Sequence, residues 1–156
     1  MFLIIGCKKH ESDPFDPDLI LKAELEANEA AMIKEYLNKN SSLNFKLQSS
    51  GLYYCEILLG TGNPPILHEI AYIRYLGKYL GKIFDSHIGG ENGFSFPVGE
   101  RKVIAGLDEG IKLMKVGGKA IFLMPSKLAY GTEGYYEIPG YTPLLYEVEL
   151  LEIGSN

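Results

Sequence analysis

The run VIAGLDEGIKLMKVGGKAIFLMPSKLAYG, Val103 to Gly131, brackets one short amphipathic helix with strands. Val103 and Ile104 are β-branched and end a strand-like approach, and Gly106 permits a tight turn. Leu107, Ile111 and Met114 recur four and three residues apart and so share one helix face. Asp108, Glu109, Lys112 and Lys115 point elsewhere, with the acids in the first turn and a lysine near the end, the order a helix dipole favours. Val116-Gly117-Gly118 stops the helix, because glycine takes a positive-φ cap at little cost. Ala120 to Met124 predicts a strand that Pro125 ends, and Leu128-Ala129-Tyr130-Gly131 a turn that carries an aromatic ring.

The rest of the chain supplies more strands. Eighteen glycines in 156 residues favour a turn-rich, mostly β module over a helical bundle. Gly51 to Leu59 reads as a strand. Glu69 to Leu76 alternates, with Ile70, Tyr72 and Arg74 on one face and Ala71, Ile73 and Tyr75 on the other. Phe94-Ser95-Phe96 alternates too, and Leu144 to Ile153 closes the chain with Tyr146, Val148 and Leu150 on one side. Before these lies a helix from Asp18 to about Asn38, started by Asp16 at the cap and Pro17 in the first turn. Its stripe is Ile20, Ala23, Ala27, Ala30 or Ala31, Ile33 or Lys34, and Leu37. That modest face fits packing on the β module, pairing with a second chain, or a spacer. Lys39 to Ser50 reads as a linker.

Cys55 has no partner for a disulfide once Cys7 is set aside, and reads as a small buried hydrophobe. His68 and His87 are isolated surface residues without metal-ligand spacing, and no cofactor is implied. A net charge of −5 without a basic stripe argues against nucleic acid as a partner.

The central run resembles the signature of FKBP-type peptidyl-prolyl isomerases, roughly VI-x-G-W-x-E-G, then M-x-V-G, then P-x-x-x-A-Y-G. YIRYLGKYLGKIFDS and GFSFPVG before it, and IPGYTPLLYEVELLEI after it, extend the likeness over about Pro65 to Ile153. The resemblance implies an α+β fold, a twisted antiparallel sheet wrapped around one short helix, here with an N-terminal helical extension. It implies a pocket lined by Tyr75, Phe84, Phe94, Val103, Ile104, Leu107, Ile138 and Tyr146, with Asp85 at the rim. Tyr130, through its hydroxyl, and the Ile104 N–H are then donors to a backbone carbonyl of the bound peptide. The family often pairs the aspartate with an arginine. None stands in the loop Ile88 to Gly93, which leaves backbone donors or Tyr75 to hold Asp85. Leu107 replaces the family's usual tryptophan floor, and the loop after Tyr130, about one residue shorter than usual, carries Tyr135 and Tyr136.

Leu3-Ile4-Ile5-Gly6-Cys7 resembles a bacterial lipobox, with Cys7 expected to be the lipidated residue and Met1 to lie inside the signal sequence. The expected organisation is a signal remnant and tether over 1–17, a helix and linker over 18–50, and the isomerase domain over 51–156. The expected activity is isomerisation of proline-containing unfolded or partly folded chains, in the bacterial cell envelope and facing the periplasm, from a lipid anchor. The alternative is a catalytically weak binding or chaperone module, or a component of an envelope machine such as the gliding apparatus.

Overall fold

A computed structural model describes residues 16–79, 81–90 and 93–155. The elements run α1 (Pro17–Lys39), β1 (Lys46–Leu47), β2 (Tyr53–Leu58), β3 (Ile70–Tyr79), β4 (Lys82–His87), β5 (Phe94–Pro97), α2 (Ala105–Lys112), β6 (Lys119–Met124), a 3-10 turn (Ser126–Leu128) and β7 (Leu144–Gly154). Among the described residues the strands form one antiparallel sheet in the order β1-β2-β6-β7-β3-β4, with β5 also pairing with β3.

The alternation in β3 and β7 settles which face is inside. Ala71, Ile73, Tyr75 and Tyr79 of β3, with Tyr146, Val148 and Leu150 of β7, are buried on the concave face. Helix α2 lies against that face and contributes Leu107 and Ile111, with Met114 just beyond its end. Cys55 is buried, free, and turned to the other face; burial pushes its thiol up.

Several expectations around α2 need correction. Residues 103–104 belong to no strand, and Ile104 is instead the helix N-cap. Gly106 makes no tight turn; it sits inside the first turn of α2, where an added Cβ would stand 2.7 Å from Met124 Sδ. Gly110 repeats the device, with the Phe122 ring 2.5 Å from its virtual Cβ. The two glycines let α2 lie almost directly on β6. The helix ends at Lys112, before Val116-Gly117-Gly118; Gly117 takes its positive φ of 83° in the following turn. Asp108 does not face solvent. It is buried, accepts from the Gly99 N–H at 2.7 Å, and is met by Lys112 Nζ at 2.9 Å.

The cap of α1 is as the sequence indicates: Asp16 accepts from the Asp18 N–H at 3.0 Å, and Pro17 opens the helix. Its docked face shares Ile33 and Leu37 with the expected stripe and differs in the rest. Ile20, Ala23, Ala27, Ala30 and Ala31 are exposed, and the helix lies down on Leu25, Glu29, Met32, Ile33, Tyr36 and Leu37. Long side chains bury more apolar area per residue than alanine does, so they outcompete the alanine stripe. The stretch read as a linker contributes β1, paired with Tyr53 and Tyr54. Among the described residues no helix is long and apolar enough to cross a membrane. Cys7 and the tether before Asp16 lie outside the described residues.

Candidate active site

Aromatic side chains of β3, β4, β5 and β7 meet one another and the loop after β6 at one place on the inner face. Tyr75 comes from β3 and Tyr146 from β7; their rings stack with centroids 5.5 Å apart. Phe94 of β5 meets Tyr75 edge-on at 5.6 Å. Phe84 of β4 stands edge-on to Tyr146 at 5.9 Å and to Tyr130 at 6.4 Å. Gly77 lies beneath these rings. A Cβ there would be 3.0 Å from Phe84 Cζ and 3.2 Å from Tyr146 Cζ, so glycine makes the room.

Phe84 and Asp85 are neighbours in sequence and both serve this end of the sheet. Strict alternation forbids that. The register shifts at this point, from Gly77 opposite Asp85 to Lys78 opposite Ile83, which leaves Phe84 as the extra residue of a β-bulge. The bulge turns the Phe84 ring inward while Asp85 keeps its own place. Asp85 is exposed, and its Oδ2 accepts from Tyr75 Oη at 2.7 Å. Of the two open ways to hold the carboxylate, the tyrosine is the one present among the described residues.

Leu107 and Ile138 are buried, and Val103 and Ile104 half-buried, in the same apolar cluster as Tyr75, Phe84, Phe94, Tyr130 and Tyr146. The Ile104 carbonyl accepts from the Leu107 and Asp108 N–H groups, both at 3.1 Å, while its own N–H donates to no acceptor among the described residues. Val103 stands apart in one respect: it also lines a depression on the far side of α2, with Arg101 and Lys112. The open cavity, about 660 Å3, is bounded by Phe84, Tyr135, Tyr136, Glu137 and Ile138. A second depression, about 550 Å3, includes Arg74, Leu76, Ile121 and Glu149. Arg74 and Lys119 there are already paired with Glu149, at 3.7 and 3.4 Å, so it offers a ligand little unspent charge.

Tyr79, Gly77 and Glu137 were not singled out in the sequence. Tyr79 packs on Phe84 at 6.1 Å, and carrying the β3 alternation three residues further would have found it. Tyr135 stacks on Tyr130 at 4.8 Å, and Tyr136 is almost fully exposed at the cavity mouth.

The site's tyrosines are held protonated. Burial pushes Tyr75, Tyr130 and Tyr146 above the ordinary phenol range; at Tyr75 the hydrogen bond to Asp85 adds to burial. Each remains a donor at neutral pH. Among the described residues no cluster of three or more metal-ligating side chains occurs.

The structure is therefore an α+β protein whose antiparallel sheet packs an aromatic cluster over one short helix, and of that cluster Phe84 and Ile138 reach the open cavity. The sequence profile of FKBP-type peptidyl-prolyl cis-trans isomerase matches residues 65–151. The chain belongs to that family. It is 40% identical over 122 residues to the FKBP-type isomerase FkpA of Aeromonas hydrophila, an alignment covering 77% of this chain and 45% of that protein. The crystal structure of FkpA from Escherichia coli matches with a TM-score of 0.73 and 34% identity, over 86% of this chain and 64% of the other. A peptidyl-prolyl cis-trans isomerase from Pseudomonas syringae pv. tomato matches with a TM-score of 0.72 and 28% identity, over 85% and 95%. The chain spans only part of the curated relatives it matches, from 20% to 58% of their length. The expected fold, a sheet wrapped around a short helix with a helical extension, is the one observed.

Proposed function

We propose that this protein is a peptidyl-prolyl cis-trans isomerase that assists the folding of exported proteins in the bacterial cell envelope. The observation that carries the reading is the convergence of Tyr75, Phe84, Phe94, Leu107, Ile138 and Tyr146 on one apolar cluster, with Asp85 and Tyr130 beside it. A peptide bond resists rotation by ~18–20 kcal/mol because twisting it destroys amide resonance. The twisted amide has a less polar carbonyl than the planar one and tolerates a water-poor aromatic site better. The Ile104 N–H and the Tyr130 hydroxyl hold the flanking peptide carbonyls while the prolyl bond turns. The work is differential binding of the twisted state and needs no nucleophile.

The expected result is acceleration of a proline-limited refolding reaction by micromolar protein. Intact binding of unfolded chains without acceleration would instead identify a binding module.

The proposed partner besides proline-containing chains is a membrane, reached through a lipid on Cys7. The support is Leu3-Ile4-Ile5-Gly6-Cys7 followed by the polar stretch KKHESD. Cys7→Ser is expected to move the protein from the membrane to the soluble fraction of bacterial cells. Retention of the variant at the membrane would remove the anchor from the reading.

A further inference from the structure

We infer that Glu29, on the helix that precedes the isomerase module, is a positioning residue for the Tyr130 side of the pocket. The inference rests on the isomerase reading above. Glu29 lies within the docked stripe of α1, and its carboxylate joins a residue 97 positions further on. Oε2 accepts from Ser126 Oγ at 3.0 Å, and Oε1 accepts from the Ser126 N–H.

Ser126 opens the 3-10 turn and is buried. A turn of this kind leaves its first N–H groups without internal partners. Pro125, at the cap position, makes no side-chain capping bond, so α1 supplies the acceptor. The carbonyl of Ser126 then carries the loop: it accepts from the Ala129 and Gly131 N–H groups, both at 2.8 Å. These are the residues on either side of Tyr130. Gly131 in turn accepts from the Tyr141 N–H at 3.0 Å, and Tyr130 from the Gly134 N–H at 3.1 Å. The Tyr130 ring, set by this frame, stands against Phe84 and stacks on Tyr135.

Docking alone does not explain a carboxylate at this point. Leu25, Met32, Ile33 and Tyr36 surround it on the helix face, and a charge there costs desolvation unless it is hydrogen-bonded. An apolar residue would serve adhesion better. The charge-assisted pair of bonds to one serine, short and directional, fixes position instead.

The test uses the full chain with Glu29→Ala, Glu29→Gln and Ile33→Ala, assayed on a proline-containing tetrapeptide. Glutamine keeps an acceptor for the Ser126 N–H and donates to Ser126 Oγ. Glu29→Ala is expected to lower kcat about tenfold with KM nearly unchanged, short of the ~10²-fold cost of a full ångström of misplacement. Glu29→Gln is expected to restore most of the rate. Ile33→Ala, which loosens the same helix without touching Ser126, is expected to lower Tm and leave kcat intact. The Ala129, Tyr130 and Gly131 amide resonances are expected to shift in Glu29→Ala and to return in Glu29→Gln. Full kcat in Glu29→Ala, or equal losses in the alanine and glutamine variants, would overturn the inference. Should Glu29→Ala not fold, Ser126→Ala reads the same link, with an expected loss of about threefold, and no loss there overturns it. If the unaltered protein has no isomerase activity, the functional reading fails, and the three resonances alone decide the role of Glu29.

Discussion

Phe84→Ala is expected to lower kcat/KM for prolyl isomerisation about 30-fold, roughly 2 kcal/mol of transition-state stabilisation. The ring is the bulged residue of β4 and the wall shared by Tyr79, Tyr130 and Tyr146. Removing it opens the cavity beside Ile138 to water and takes away the surface against which Tyr130 rests. Both changes favour the planar, polar amide over the twisted one. Stability is expected to fall less. Truncating a fully buried phenylalanine costs about 3–5 kcal/mol, but Phe84 is only half-buried on the outermost strand, so about 2 kcal/mol is expected. Chemical denaturation and a refolding assay on the same preparation separate the two effects. A rate loss that merely follows the unfolded fraction would remove Phe84 from the site.

That bulge also marks where the sequence stops being legible. The faces of β3 and β7 follow from alternation, because a period of two leaves each side chain one choice. Residues 84 and 85 break the rule, and nothing in the pattern KIFDSH announces an unpaired residue. Their shared location came from the family resemblance alone. The glycines mislead for a related reason. Gly106 and Gly110 look like turn-formers or weak helix positions, yet their use lies in what a Cβ would strike on another element. The docked face of α1 is only partly legible: Ile33 and Leu37 fall in the apolar stripe, whereas Glu29 does not. Its two bonds to Ser126 depend on a partner 97 residues away. Cys55, by contrast, needed only its own character and its place in a strand. Properties that one element owns are readable, and properties owned by a pair are not.

Gly110→Ala is expected to destabilise the protein by about 2 kcal/mol, against the direction that local propensity gives. Within a helix, alanine is favoured over glycine by about 1 kcal/mol. Here the new methyl would meet three atoms of the Phe122 ring at 2.5, 2.6 and 2.7 Å. Phe122 is fully buried and stacked on Tyr54 at 5.7 Å, so it has little room to yield. Overpacking costs about 1–3 kcal/mol and occasionally more; three contacts this short belong at the upper end, which leaves about 2 kcal/mol after the propensity gain. The strain would lift α2 from β6, and Leu107 and Ile104 with it, so kcat/KM should fall beyond what the unfolded fraction explains. A Tm lower by roughly 5–8 °C is expected. Phe122→Leu should relieve the clash, making the double variant less unstable than the sum of the two single changes by about 1 kcal/mol or more. A rise in Tm for Gly110→Ala, as propensity alone requires, would show that contact with β6 does not fix the position of this helix.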